Sequence, residues 1–347
     1  MSSVPSDSPF RIPYDQLCAL VAAALRAHGV PEALASTEAA IMAEADLHGT
    51  PSHGVKMLPA LLRALDSGLA SADPQIRTVT DFGAICVVDG DNGIGRHVAL
   101  TAMQTAVQRA RQFGVGVCLA KRTTHWGRAH AYALRAAQAG CIGFCTTNAV
   151  RSMAAWGATK PVIGNNPIAI GVPRGDAEPM VLDIAMSQAA VGKVTTWLRE
   201  GRPLPAGWGV DASGKPSSDP QAILSGAVSP MGGHKGSGLA LMMEMMTAAL
   251  GGGDFCDDIV VPPGGIETNA SKIFIALNVE AFGAAADFAP RIDAFIDYLR
   301  AEAADTEPFL YPGERGWQDS ARNLREGVPL HEEIVVLLEQ AGVKLRG

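Results

Sequence analysis

Charge is scarce in this chain and neither sign is concentrated. Asp, Glu, Lys and Arg make up 18% of its 347 residues, and the formal net charge is −7. It has no basic run and no basic patch interleaved with aromatics, so a nucleic-acid partner is not expected, because phosphate backbones demand a basic surface. Long apolar runs are missing too. The longest helical one, Leu239 to Leu250, is too short to cross a bilayer and contains Glu244. The first ten residues form a polar tail without the apolar core of a signal peptide. The six cysteines (Cys18, Cys86, Cys118, Cys141, Cys145 and Cys256) form no Cys-x-x-Cys pair. Neither His-Glu-x-x-His nor a Cys/His cluster at ligand spacing is present, so buried reduced thiols are expected rather than disulfides or a metal site. Together these absences predict a soluble cytoplasmic protein with no metal and no membrane partner.

The common catalytic fingerprints are also absent. There is no strict Gly-x-Gly-x-x-Gly, which removes the usual Rossmann pointer, and no Gly-x-Ser-x-Gly elbow of a serine hydrolase. Gly209 to Lys215 imitates a phosphate loop, but Pro216 stands where the magnesium-binding Ser or Thr would be, so a turn is expected. Met231-Gly-Gly-His-Lys-Gly-Ser-Gly238 is the better anion candidate. Its glycines admit close backbone approach, it precedes the Met-rich helix, and Lys235 adds a full charge.

What is present is material for large cores: 48% of the chain is hydrophobic, and its length exceeds the usual single-core size. Helices are expected over Tyr14–His28, Glu32–Leu47 and His53–Leu65, with Ser52 as N-cap of the third and His48 capping the end of the second. From about residue 75, short β-rich runs alternate with helices. The expected elements are a strand over Ala84–Asp89, a helix over His97–Phe113, a strand over Val115–Ala120, a helix over Thr124–Ala139 and a strand over Ile142–Thr147. Residues 151–235 are rich in Gly and Pro, and a stretch of that kind in a compact chain usually builds a binding site. The Met-rich helix 239–250 is apolar nearly all round, placing it in the core or at a subunit interface. His53 draws the eye because a histidine fixed at a helix start has defined geometry and titrates near neutrality.

Nine segments together resemble the type-2 malate/L-lactate dehydrogenase family and follow its order over roughly residues 15–345. They are Ser52-His-Gly-Val55, Thr124-His-Trp-Gly127, Thr147-Asn148, Trp156-Gly-Ala158, Gly164-Asn-Asn-Pro-Ile-Ala169, Leu182-Asp-Ile-Ala-Met-Ser187, Pro205-Ala-Gly-Trp208, Gly233-His-Lys-Gly-Ser-Gly-Leu239 and Pro312-Gly-Glu314. The family includes NAD(P)-dependent 2-hydroxyacid, ureidoglycolate and sulfolactate dehydrogenases and cyclic imine reductases. The resemblance implies an α/β (α+β) fold that is not Rossmann, with a largely antiparallel sheet domain over 73–284 that binds the cofactor. It implies a helical domain built from both termini, 1–72 with about 285–347, and a homodimer or an oligomer of dimers.

The resemblance makes His53 the acid/base, with Ser52 beside it. It places the cofactor, NAD or possibly NADP, against Asp183, Ile184, Ala185, Met186, Ser187, His234, Lys235, Gly313 and Glu314. A helix start disfavours imidazolium and a nearby carboxylate favours it, so Asp183 is the candidate partner that poises His53; the alternative is an aspartate that merely caps a strand end. His125 is expected to line the same cleft, or else to be a satisfied core histidine beside Trp126. Met57 departs from the arginine that many members carry there to grip a substrate carboxylate, a task methionine cannot perform. Arg128, expected one helical turn after His125, is the candidate replacement. The leading expectation is hydride transfer between NAD(P)H and a small 2-oxo acid of malate or lactate type. The alternatives are reduction of a cyclic or N-methyl imine, or a sulfolactate or ureidoglycolate dehydrogenase.

Overall fold

The computed structural model describes residues 9–259, 261–283, 285–304 and 308–346, so most of the polar opening segment (residues 1–8) lies outside it. Helices α1 (Tyr14–Ala27) and α2 (Glu32–Leu47) each follow a proline, which has no N–H to leave unpaired at a helix start. Leu17, Val21 and Leu25 of α1 bury against Ala39 and Met42 of α2. α3 (Leu58–Asp66) adds Leu58, Leu61 and Leu62 to that cluster.

The far end of the chain completes this core. Strand β1 (Phe10–Ile12) pairs antiparallel with β14 (Val328–Leu330), and α11 (Glu332–Gln340) inserts Ile334, Val335 and Leu338. Full burial of each such side chain contributes about 1.5–3 kcal/mol.

The central sheet is mixed, seven-stranded and largely antiparallel. Its strands are β2 (Arg77–Phe82), β3 (Ile85–Gly93), β4 (Val115–Thr123), β5 (Cys141–Thr147), β8 (Ile168–Arg174), β9 (Ala177–Ile184) and β13 (Ala270–Asn278), in the order β2-β3-β4-β13-β5-β8-β9. Among the described residues β3–β4 is its one parallel pair, bridged by α4 (Gly95–Phe113). A single β-α-β crossover cannot build a doubly wound sheet, which agrees with the missing dinucleotide fingerprint.

α4 and α5 (His130–Gln138) pack on the sheet through Val98, Ala102, Ala106, Tyr132 and Phe274. A small second sheet joins β6 (Met153–Ala154), β7 (Pro161–Ile163), β10 (Gly209–Val210), β11 (Pro216–Ser217) and β12 (Ala227–Val228), with α6 (Val191–Arg199), α7 (Pro220–Ser225) and α8 (His234–Glu244) around it. The phosphate-loop imitation Gly209–Lys215 is the hairpin turn between β10 and β11, closed by Asp211 Oδ1 accepting from the Ser213 and Lys215 amides. α9 (Ala285–Ala301) lies against β8, with Arg174 bonded to Asp293, and α10 (Glu314–Glu326) leads to the terminal pair.

Two helix expectations need correction. The chain over 53–65 does not run as one helix: short 3₁₀ turns at Pro51–His53 and Val55–Met57 precede α3, and Ser52 makes no cap bond. Gly54 interrupts the helix with a non-helical backbone (φ −91°, ψ −146°); a Cβ there would sit 2.0 Å from Asp46 Oδ2, and the Val55 amide donates to that same oxygen at 2.7 Å. The segment 124–129 is an irregular loop, with Gly127 at φ +75°, a region that favours glycine, so Arg128 is not one helical turn from His125. The Met-rich helix begins at His234, and of the two places expected for it the core alone does not hold it, since Leu241, Met242 and Met245 stand 48%, 50% and 38% exposed in the single chain.

Candidate active site

A cavity of about 1000 Å³ opens where the His53 turn, the 125–129 loop, the end of β9 and the small sheet meet. Ser52, His53, Met57, His125, Arg128, Asp183, Ile184, Ala185 and Ser187 all line it. The imidazoles of His53 and His125 lie nearly parallel, with ring centroids 6.0 Å apart. The Gly127 amide donates to His125 Nδ1 at 3.0 Å, so that nitrogen carries no proton and Nε2 must. Ser52 Oγ sits 2.9 Å from His53 Nδ1, which leaves Nε2 of His53 for another partner. Ser52 therefore orients the imidazole rather than capping a helix.

Electrostatics lower the titrations of both rings. Burial depresses the His53 titration below 6.5; the Asp183 charge opposes this, while Arg96 and Arg128 add to it. His125 is pushed well below the ordinary value by burial, by His53, by Arg96 and by Lys272. Asp183 is fixed by two donors on Oδ2: Arg128 Nε at 3.0 Å and the His130 amide at 3.1 Å. The carboxylate thus caps α5, neutralises Arg128 and acts on His53 through its field. Arg128 Nη1 is buried and has no hydrogen-bond partner among the described residues.

The sequence segments singled out above meet in pairs. Trp156 stands beside Gly233 and His234: a Cβ on Gly233 would lie 2.7 Å from its ring, and Ser237 Oγ accepts from the Trp156 amide. Pro312 O accepts from the Val181 amide on β9, which seats Gly313 beside the strand that carries Asp183. Glu314 Oε1 accepts from Arg300 Nη2 and its Oε2 from the Tyr311 amide. His234, Lys235, Gly313 and Glu314 do not border the cavity, whereas Met231 and Arg315 do. Met186 is fully buried, and its backbone pairs with Asn165 and Met231, so only its neighbours face the opening.

The family profile described as malate/L-lactate dehydrogenase matches residues 12–339. The chain belongs to the malate/L-lactate dehydrogenase family. It is an NAD(P)-dependent dehydrogenase, an oxidoreductase of 2-hydroxy and 2-oxo acids. It is 30% identical to a malate dehydrogenase of Pyrococcus horikoshii over 95% of this chain and 94% of that one. It is 33% identical to a Δ1-pyrroline-2-carboxylate/Δ1-piperideine-2-carboxylate reductase of Pseudomonas syringae pv. tomato over 99% and 100% of the two chains. The solved structure of the sulfolactate dehydrogenase of Methanocaldococcus jannaschii superposes with TM-score 0.89 at 32% identity, covering 96% of each chain.

The cavity of this dehydrogenase suits a nicotinamide cofactor. Ala185, Ala189, Ala190, Gly192, Gly226 and Ala227 line it together with the polar side chains of His53, His125, Arg128 and Asp183, so small residues leave room for a planar ring and hydrogen-bonding groups border the same space. No helix is long and apolar enough to cross a membrane, and no group of three His, Cys, Asp or Glu is placed to hold a metal ion, both among the described residues.

One residue of the site and two buried ones outside the cavity lining lay beyond sequence reasoning. Glu267 borders the cavity, accepts from the Val150 amide and lends its carbonyl to the His125 amide. Lys272 is 1% exposed, bonds Thr123 Oγ1 and Thr124 O, and is pushed down to about 7 by burial, opposed by Glu267. Glu244, noticed only as a blemish in an apolar run, accepts from Asn148, Asn166 and the Cys256 amide. No local pattern announces any of these, because their partners are distant in sequence.

Proposed function

We propose that this dehydrogenase interconverts a small 2-hydroxy acid of malate or lactate type and its 2-oxo acid, with His53 moving the proton. A bound reduced nicotinamide would supply the hydride to C2. His53 as imidazolium then gives its Nε2 proton to the carbonyl oxygen, leaving a neutral ring and a hydroxyl group, and the neutral ring takes that proton back in the reverse direction. The observation that carries this reading is the convergence of His53, His125, Asp183 and Arg128 on one cavity. His125 Nε2–H donates to the substrate, and Arg128, with Nη1 unsatisfied, grips its carboxylate in place of the arginine that Met57 displaces.

The cofactor is held along Asp183–Ser187, with His234, Lys235, Gly313 and Glu314 shaping that wall from behind. NAD is the proposed form, on the chain's net negative charge. In this reading residues 1–72 with about 285–347 form the helical domain and 73–284 the cofactor-binding one. The enzyme acts as a homodimer, supported by the exposed apolar side chains of α8, and works in the cytoplasm, where its six free thiols stay reduced.

A second reading, reduction of a cyclic or N-methyl imine, draws on the 33% identity to the reductase above. One assay separates them: NADH and NADPH oxidation against a 2-oxo acid panel, with and without methylamine, for wild type and His53→Ala. Turnover of an oxo acid alone, lost in the variant, is the expected result. Turnover that requires the amine would replace the first reading with the second.

A further inference from the structure

One buried arginine touches both loops that carry the imidazoles. Arg96 is 2% exposed and paired with Glu38, 0% exposed, through Nη1 at 2.8 Å. Its Nη2 donates to the His53 carbonyl at 3.2 Å and contacts Met57 Sδ at 3.7 Å. Its Nε has no partner among the described residues and lies under Gly127, where a Cβ would come within 2.7 Å. The backbone follows the same path. A Cβ on Gly95 would lie 2.3 Å from the His125 carbonyl, so the first turn of α4 presses directly on the second loop. Glu38 Oε2 in turn accepts from the Arg96 and His97 amides, which locks that turn onto α2.

We propose that Arg96 is the positioning residue that holds the His53 turn and the His125 loop in register, and so sets the spacing of the two imidazoles. A buried ion pair this well bonded costs desolvation that an apolar pair would avoid. Here its forked donor set does what no apolar side chain can: it bonds one loop while packing edge-on beneath the glycine of the other. Arg96 does not reach the cavity and touches no reacting atom. The titratable groups that face it are Glu38 and Asp46 from α2, His53 from the turn, and His125 and Tyr132 from the loop and α5. Its charge therefore also helps keep both imidazoles neutral.

The kinetic part rests on the proposed role of His53, so the experiment carries a readout that does not. Arg96→Lys keeps the charge and loses the fork. It should lower kcat by about a hundredfold while NADH affinity, read by nucleotide fluorescence, stays unchanged. Arg96→Met/Glu38→Leu removes the pair without stranding a charge, and should lower kcat while moving the His53 and His125 imidazole titrations, followed by NMR, to higher pH. A folded variant with unchanged kcat and unmoved titrations would overturn the proposal. So would loss of the fold in both variants, since the pair would then serve the core alone. If His53→Ala keeps full turnover, the acid/base role of His53 fails, while the imidazole titrations still decide the role of Arg96.

Discussion

Asp183 and Arg128 form an ion pair that lines the cavity, with Nε and Oδ2 at 3.0 Å and both side chains mostly sheltered. The pair leaves one guanidinium nitrogen unsatisfied and one carboxylate whose field reaches His53 without a direct bond. Both consequences are measurable.

Arg128→Met removes the unsatisfied donor. A hydrogen bond to a charged group is worth about 1.5–3 kcal/mol, so KM for the acid should rise roughly tenfold to a hundredfold. The arginine also depresses the His53 titration, so the pH midpoint of turnover should move up in the same variant. An unchanged KM would remove Arg128 from the substrate site.

In the proposed mechanism, oxidation of the hydroxy acid needs a neutral His53 to accept the proton. Burial, Arg96 and Arg128 together hold its titration below 6.5 despite Asp183. Therefore kcat/KM for oxidation should rise with pH to a plateau with a midpoint below that value, and reduction should fall through the same midpoint. A midpoint above the ordinary histidine value would contradict the assignment.

Asp46 carries the His53 turn from the other side, and burial pushes its carboxyl up to about 7. A folded value raised above the unfolded 3.8 means that the native state holds the proton more tightly. Its stability is therefore full below pH 3.8 and is lost as pH rises toward 7. Asp46→Asn keeps an acceptor for the Val55 amide and cannot ionise. Urea unfolding at pH 5 and pH 8 should show the wild type losing a few kcal/mol (roughly 1.4 per unit) that the variant retains. Gly54→Ala should be severely destabilising alone and tolerated in an Asp46→Ala background, because the clash is with that carboxylate.

His48 ends α2 against the rings of His130 and Trp317, and its burial lowers its titration to about 4. The unfolded chain binds this proton first, so stability falls as pH drops from 6.5 to about 4. In His48→Gln that loss should shrink by roughly 3 kcal/mol, read from denaturation midpoints across the range.

Much of this molecule is legible along the chain. α1, α2, α4, β4 and β5 fall within a few residues of where apolar periodicity puts them, because their buried faces repeat at helix or strand spacing. His53, His125, Arg128 and Asp183 stand in short ordered segments, so the candidate site could be named before it was seen. The helix over 124–139 starts late for one local and one distant reason: Gly127 takes a left-handed conformation, and the His130 amide finds its acceptor on Asp183 of β9.

The amino-acid order alone determines most of the element types, the family, the net charge, and which polar side chains are candidates for chemistry. These follow from periodicity, composition and short motifs, all of which are local. Only the tertiary structure decided that Arg96 and Glu38 would underpin both imidazoles, that Asp46 would hold the His53 turn, and that Asn148 and Asn166 would close on Glu244. Each of those bonds joins residues far apart in the chain or fixed by a close backbone approach. The energy that places them comes from burying unlike groups together, which no stretch of sequence read by itself contains.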